Sequence, residues 1–216
     1  MTYLSPQSLM PVVITGILSL LFKGGYGSSY ALSLITGLTF FFYFAECTRR
    51  TARALKTRRV HHYAIPLSVL RLYAPSIITL IIIWVTRSPL TLAQFLTGIA
   101  LVTANALMLW GFIWGASQFV SRKYANNHLF MQTINYGLHI LMLCTPIFYA
   151  LNAIRAEPLR ILLSYNPLAI AIITTRAALL GVPPAIPFAA AGYALAAGLV
   201  ASFLGYTYSR LTKDPY

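Results

Sequence analysis

Long apolar runs alternate with short polar ones along most of this chain. The runs fall at 9–22, 30–46, 66–85, 95–120, 130–150 and 186–208, and each reads as a membrane-crossing helix. A crossing needs roughly 20 apolar residues for a hydrocarbon layer of about 30 Å. The first run is short by that measure and must tilt little, thin the bilayer or lean on protein neighbours. The fourth is long and can tilt or project beyond the bilayer. The longest polar stretch, 47–64, reads as a loop. Its segment TRRTARALKTRR is rich in helix formers and predicts a short helix within that loop. The first connection, Lys23-Gly-Gly-Tyr-Gly-Ser-Ser, is rich in turn residues.

One stretch breaks the pattern. Residues 145–181 read TPIFYALNAIRAEPLRILLSYNPLAIAIITTRAALLG. An apolar run ends in Thr-Pro, a polar link with Glu157 follows, and two brief apolar stretches flank Asn166-Pro167-Leu168. The whole is too interrupted for one crossing and too apolar for an ordinary loop. Broken helices at membrane depth persist only where protein or a water-lined path satisfies their freed backbone groups. A broken, partly re-entrant segment before the last span is therefore predicted, and with it a passage through a bilayer.

Composition narrows the class. The 216 residues are 58% hydrophobic and 9% charged. That balance excludes a soluble domain and predicts an all-α, polytopic membrane protein with one domain, 1–216. No internal repeat, cleavable signal or room for a soluble module is evident. Sixteen Lys and Arg face three acids, Glu46, Glu157 and Asp214. Arg49, Arg50, Arg53, Lys56, Arg58 and Arg59 follow the second run, with His61 and His62 behind them. Arg122 and Lys123 follow the fourth run, and Arg210 and Lys213 the sixth. The opposite connections hold Lys23, Arg87, Arg155 and Arg160. The more basic side marks the cytoplasm, so both termini are predicted cytoplasmic. Cys47 and Cys144 lie at opposite ends of their runs, which predicts no disulfide between them.

Candidate chemistry is sparse. The basic stretch reads as a topology signal attracted to anionic headgroups, at about 1 kcal/mol per basic residue. It reads equally as a docking surface for a soluble partner. A nucleic-acid reader would need a fold that this loop lacks, so no nucleic-acid partner is expected. Glu46 stands three and four residues before Arg49 and Arg50, the spacing of a local ion pair; a role in transmitting loop motion is the alternative. The run Phe40-Phe41-Phe42-Tyr43-Phe44 suits a membrane interface, and Tyr43 and Phe44 could instead line a carbohydrate route. Trp110 and Trp114 share one helix side, with Phe119 a further turn along, and packing or lipid contact competes there with a path-lining role. His61 and His62 are adjacent, a poor geometry for one metal ion, and His139 sits inside the fifth run; no metal site is predicted. Clustered carboxylates, a Gly-x-Ser-x-Gly turn and a Gly-x-x-x-x-Gly-Lys-Ser/Thr loop are all missing from the sequence. Catalysis is not expected in this chain, and the fuel for any active transport would be handled by another.

The elements TPIFY, NPL and RAALLG, in this order and spacing, resemble the permeases of type-2 ATP-binding-cassette exporters. The stretch RRVHHYAIPLSVLR before the third run resembles the same family. The likeness is narrower to the branch that exports capsular polysaccharide, O-antigen and teichoic acid. It implies a multi-pass protein of the cytoplasmic (inner) membrane that pairs with a second copy of itself and with two cytoplasmic ATPase subunits, which hold ATP and Mg²⁺. It implies a channel between the permeases that moves a polysaccharide or lipid-linked glycan past membrane lipids. Glu46, Arg49, Arg50, Arg53, Lys56, Arg58 and Arg59 would couple to the ATPase. Tyr43, Phe44, Trp110 and Trp114 would line the path. Pro146, Phe148, Tyr149, Asn166, Pro167 and Arg176 would form the outer gate. Three departures stand out. Only residues 1–8 precede the first run, where relatives carry an amphipathic helix; either that start is lost from this chain or ATPase contact depends more on 49–59. Ile173 stands where many relatives place an acid three residues before the arginine. Arg122 is followed by Lys123 where an Arg-Asp pair is usual. Export of a drug, lipid or peptide, and a membrane enzyme acting on lipid-linked sugars, are the rival readings.

Overall fold

A computed structural model describes residues 6–21, 27–57, 68–69, 74–87, 92–118, 120, 128–149, 151, 154–180, 192–193, 196–201, 203–204 and 207. Among the described residues seven helices follow in chain order: α1 Pro6–Leu21, α2 Gly27–Thr57, α3 Ala74–Arg87, α4 Leu92–Gln118, α5 His128–Cys144, α6 Glu157–Ser164 and α7 Pro167–Leu180. Helical residues recur between 192 and 207, and no strand occurs among the described residues. The fold is all-α, as the periodicity predicts. Among the described residues two stretches are long and apolar enough to cross a membrane, Tyr30–Leu55 in α2 and Leu96–Gln118 in α4. Apolar stretches in α1, α5 and α7 are shorter.

Helix α2 is the hub. It packs against α1, α3, α4, α5 and α7, and α4 and α7 also pack on each other. Leu34, Leu38, Leu109, Ile147, Leu168 and Ile172 are fully buried where α2, α4, α7 and the end of α5 meet. On α7 the residues from Leu168 to Thr175 are all buried. A helix that is apolar all round belongs inside other protein, so the segment after Asn166 is an internal part of the core. Outer helices keep large apolar side chains exposed: Val13 and Ile17 on α1, Ile78 and Ile82 on α3, Ile140 and Leu143 on α5.

Two boundaries differ from the sequence expectation. The stretch from Cys47 to Thr57, read as the start of a loop, continues α2 without interruption. Hydropathy falls there, but helix propensity does not: Ala, Leu, Arg and Lys are good helix formers, and neither Gly nor Pro intervenes. The Thr48 hydroxyl bonds the Phe44 carbonyl one turn back at 2.9 Å. The second difference is at α5, which ends at Cys144 rather than near 150. Pro146 lacks an N–H and disfavours helical geometry at the residue before it. Cys47 is buried, Cys144 is exposed, and both are free.

Candidate functional site

The break after α5 leaves backbone groups without helical partners in a buried place. Thr145, Pro146 and Ile147 are all buried. The Thr145 hydroxyl donates to the Leu141 carbonyl at 2.6 Å, and the Ile147 N–H donates to the Thr145 carbonyl at 2.7 Å. The carbonyls of Pro146 and Ile147 remain, and Arg176 of α7 takes both: Nη1 donates to Pro146 O and Nη2 to Ile147 O, each at 2.6 Å. Its Nε donates to the Ser33 carbonyl of α2 at 2.8 Å. One planar guanidinium thus ties α7, the break and α2 together. An unpaired buried carbonyl costs on the order of 1–3 kcal/mol, so this fork offsets that penalty at two carbonyls of the break. Among the described residues Arg176 forms no ion pair with a carboxylate. It donates to three carbonyl oxygens, of Ser33, Pro146 and Ile147.

Gly37 makes room for that fork. It lies one turn beyond Ser33, and a Cβ there would stand 2.6 Å from Arg176 Nη2 and 3.3 Å from Ile147 Cα. A mid-helix glycine costs about 1 kcal/mol relative to alanine; here it permits close approach of the break and the arginine.

Asn166 opens α7 by local chemistry. Its Oδ1 accepts from the Leu168 N–H at 3.0 Å, and its carbonyl accepts from the Ile170 N–H at 2.9 Å. Asn is a favoured N-cap, and Pro167 occupies the first helical position, where its missing N–H costs nothing. Asn166 Nδ2 also donates to Thr145 Oγ1 at 3.3 Å. Of the expected gate residues, Pro146, Asn166, Pro167 and Arg176 therefore come together. Phe148 is exposed and the Tyr149 hydroxyl reaches back to the Leu143 carbonyl at 3.3 Å, so neither joins the Arg176 and Asn166 contacts.

The basic end of α2 forms a second cluster. Glu46 is buried and accepts from Arg50 Nε at 2.9 Å, with Arg49 Nη1 at 3.9 Å. Arg50 Nη1 donates to Ser68 Oγ at 2.9 Å, and Arg49 Nε donates to Asn135 Oδ1 of α5 at 3.2 Å. The ion pair read from spacing is present. Its arginines also join α2 to α5 and to the segment at 68–69, which spacing did not reveal. Arg53 is exposed. Lys56 falls in the last turn of α2, and Arg58, Arg59, His61 and His62 lie outside the described residues.

The aromatic candidates divide by burial. Tyr43 is buried with Cys47, Val69 and Ile113, so it packs as core within this chain. Phe44 is half-buried beside it. Trp110 and Trp114 stack with centroids 5.9 Å apart and planes 11° apart; Phe119 lies outside the described residues. His139 is exposed, and its Nδ1 sits 2.7 Å from the Asn135 carbonyl, which can only accept.

A buried polar contact between α4 and α7 has no counterpart among the candidate residues. Asn105 Nδ2 lies 3.0 Å from Thr175 Oγ1, 3.1 Å from Thr174 Oγ1 and 3.3 Å from the Ala171 carbonyl. The available signal was one amide in the middle of a largely apolar helix. Among the described residues no three His, Cys, Asp or Glu side chains gather. The clusters can therefore do two things: hold a broken helix in place, and present positive charge at one end of α2. No known protein family's model matches the chain, and no curated protein matches it.

Proposed function

We propose that this chain is the membrane-embedded subunit of an ATP-driven exporter, moving a polysaccharide or lipid-linked glycan across the cytoplasmic membrane. The supporting observation is the convergence of TPIFY, NPL and the arginine of RAALLG. These stretches are separated in sequence, yet Thr145–Asn166 and Arg176–Pro146/Ile147 hydrogen bonds join them around one helix break. Broken helices of this kind suit a path through a bilayer, and apolar side chains exposed on α1, α3 and α5 suit a hydrocarbon surround. In this reading all six apolar runs cross the membrane and both termini are cytoplasmic. Two copies form the conduit, and the basic end of α2 meets a separate ATPase subunit that binds ATP and Mg²⁺. Nucleotide binding in the partner displaces the coupling ends and opens the outer break. A polar, extended cargo then slides past aromatic and hydroxyl groups, and the positive inner face favours an acidic glycan.

The test is to purify the tagged full-length chain from its own membranes and identify companions by mass spectrometry. A nucleotide-binding subunit should co-purify, and reconstituted complex should hydrolyse ATP faster when glycan is supplied. Replacing Arg49, Arg50 and Arg53 with Gln should uncouple that stimulation. A chain that travels without any ATPase, or whose two termini lie on opposite sides, defeats the proposal. Stimulation by a drug, lipid or peptide instead of glycan would keep the exporter and change its cargo. Turnover of a lipid-linked sugar by the chain alone would make it an enzyme.

A further inference from the structure

Helix α2 is gripped at both ends by side chains from other elements. At one end Arg50 and Arg49, gathered by Glu46, reach Ser68 and Asn135. At the other, the Ser33 carbonyl holds Arg176, whose remaining donors hold the break. Arg50 lies seventeen positions after Ser33, about 25 Å along the axis at 1.5 Å per residue. The helix between them is continuous. Leu34, Ile35, Leu38, Phe41 and Ala45 are buried along it, and close-packed interiors resist bending. Its one interior glycine, Gly37, would be the natural hinge. The space beside that glycine is filled by Arg176 and Ile147, which splint it.

We infer that α2 is a stiff connecting link and that Arg176 is the positioning residue that transmits its movement to the break at 145–147. A displacement at the Glu46 cluster shifts Ser33, and the guanidinium carries that shift to the carbonyls of Pro146 and Ile147. As a device of export this rests on the reading above. As a property of the chain it needs neither ATP nor cargo.

Cys144 supplies a native reporter. It is exposed at the last residue before the break, whereas Cys47 is buried. The experiment measures the rate of maleimide labelling at Cys144 in the full-length protein in lipid nanodiscs, with the site assigned by mass spectrometry. Helix content by circular dichroism serves as the folding check. Glu46→Gln should change the Cys144 rate by about threefold or more, although the substitution is remote from the break. In an Arg176→Met background the same substitution should leave the rate within about 1.5-fold, because coupled sites are non-additive. Should Glu46→Gln fail to fold, Ser68→Ala, which removes the hydroxyl that accepts from Arg50 Nη1, takes its place. An unchanged Cys144 rate in a folded variant overturns the inference. So does a change that persists undiminished without Arg176, because the signal then runs by another route, such as Arg49–Asn135 and α5. Loss of the exporter reading would show instead as a missing ATPase companion, which leaves these rates untouched.

Discussion

Arg176 Nη2 lies 2.6 Å from the point where a Cβ on Gly37 would begin, and the same nitrogen donates to the Ile147 carbonyl. Glycine and arginine are therefore matched across the contact between α2 and α7. Alanine at position 37 gains about 1 kcal/mol of helix propensity but overpacks a filled space, at a cost of about 1–3 kcal/mol. Gly37→Ala should lower the thermal unfolding midpoint of the purified chain in detergent. The loss should shrink in an Arg176→Met background, where the nearest atom is gone and only the Ile147 contact at 3.2–3.3 Å remains. An equal loss in both backgrounds would refute the matching.

Charge alone cannot replace the guanidinium. Lysine offers a compact ammonium without a planar fork, and the three acceptors belong to α2 and to the break. Arg176→Lys should destabilise the protein by on the order of 1–3 kcal/mol for each buried acceptor it orphans. Hydrogen exchange should show faster exchange of the Ile147 amide. Wild-type stability and protection in the lysine variant would count against the fork.

Asn166 has two separable tasks. Asp keeps the cap acceptor for Leu168 and carries a charge favoured at a helix N-terminus, but it loses the donor to Thr145. Ala loses both, and the cap by itself is worth about 1 kcal/mol. Stability should fall in the order wild type, Asn166→Asp, Asn166→Ala, and both variants should slow export in a reconstituted complex. If the aspartate variant unfolds before the alanine variant, the cap is not what Asn166 supplies.

The Asn105 contact should be modest in energy. Hydrogen bonds between membrane helices average about 0.6 kcal/mol and reach about 1.7 kcal/mol. A double-mutant cycle of Asn105→Leu and Thr175→Val should return a coupling within that range. Additive losses would mean that the amide and the hydroxyl do not act on each other.

Parts of the candidate site were legible because their chemistry is local. Asn166-Pro167 announces a helix start, Pro146 announces a stop, and Glu46 with Arg50 is an i,i+4 pair; each works through neighbours within one turn. The partners of Arg176 were not legible. The resemblance leads one to look for a carboxylate at i−3, where Ile173 stands, whereas the acceptors are backbone carbonyls, which every residue has and no pattern marks. Gly37 carries no sequence signal of its own, because its role is set by the arginine packed beside it. The continuation of α2 through the basic stretch was hidden because hydropathy tracks burial, whereas helix formation depends on backbone and side-chain entropy that charged residues also satisfy.

Read alone, the sequence determined that the chain is helical, apolar and broken between 145 and 166. Periodicity, proline geometry and N-cap chemistry act over a few residues and need no tertiary partner. Only the tertiary structure decided that α2 is the hub, that α7 is interior on all sides, and that Ser33, Gly37, Ile147 and Arg176 meet. Those relationships join positions far apart in the chain. They depend on which helix faces are left to bury and which freed carbonyls are left to satisfy once the helices have packed.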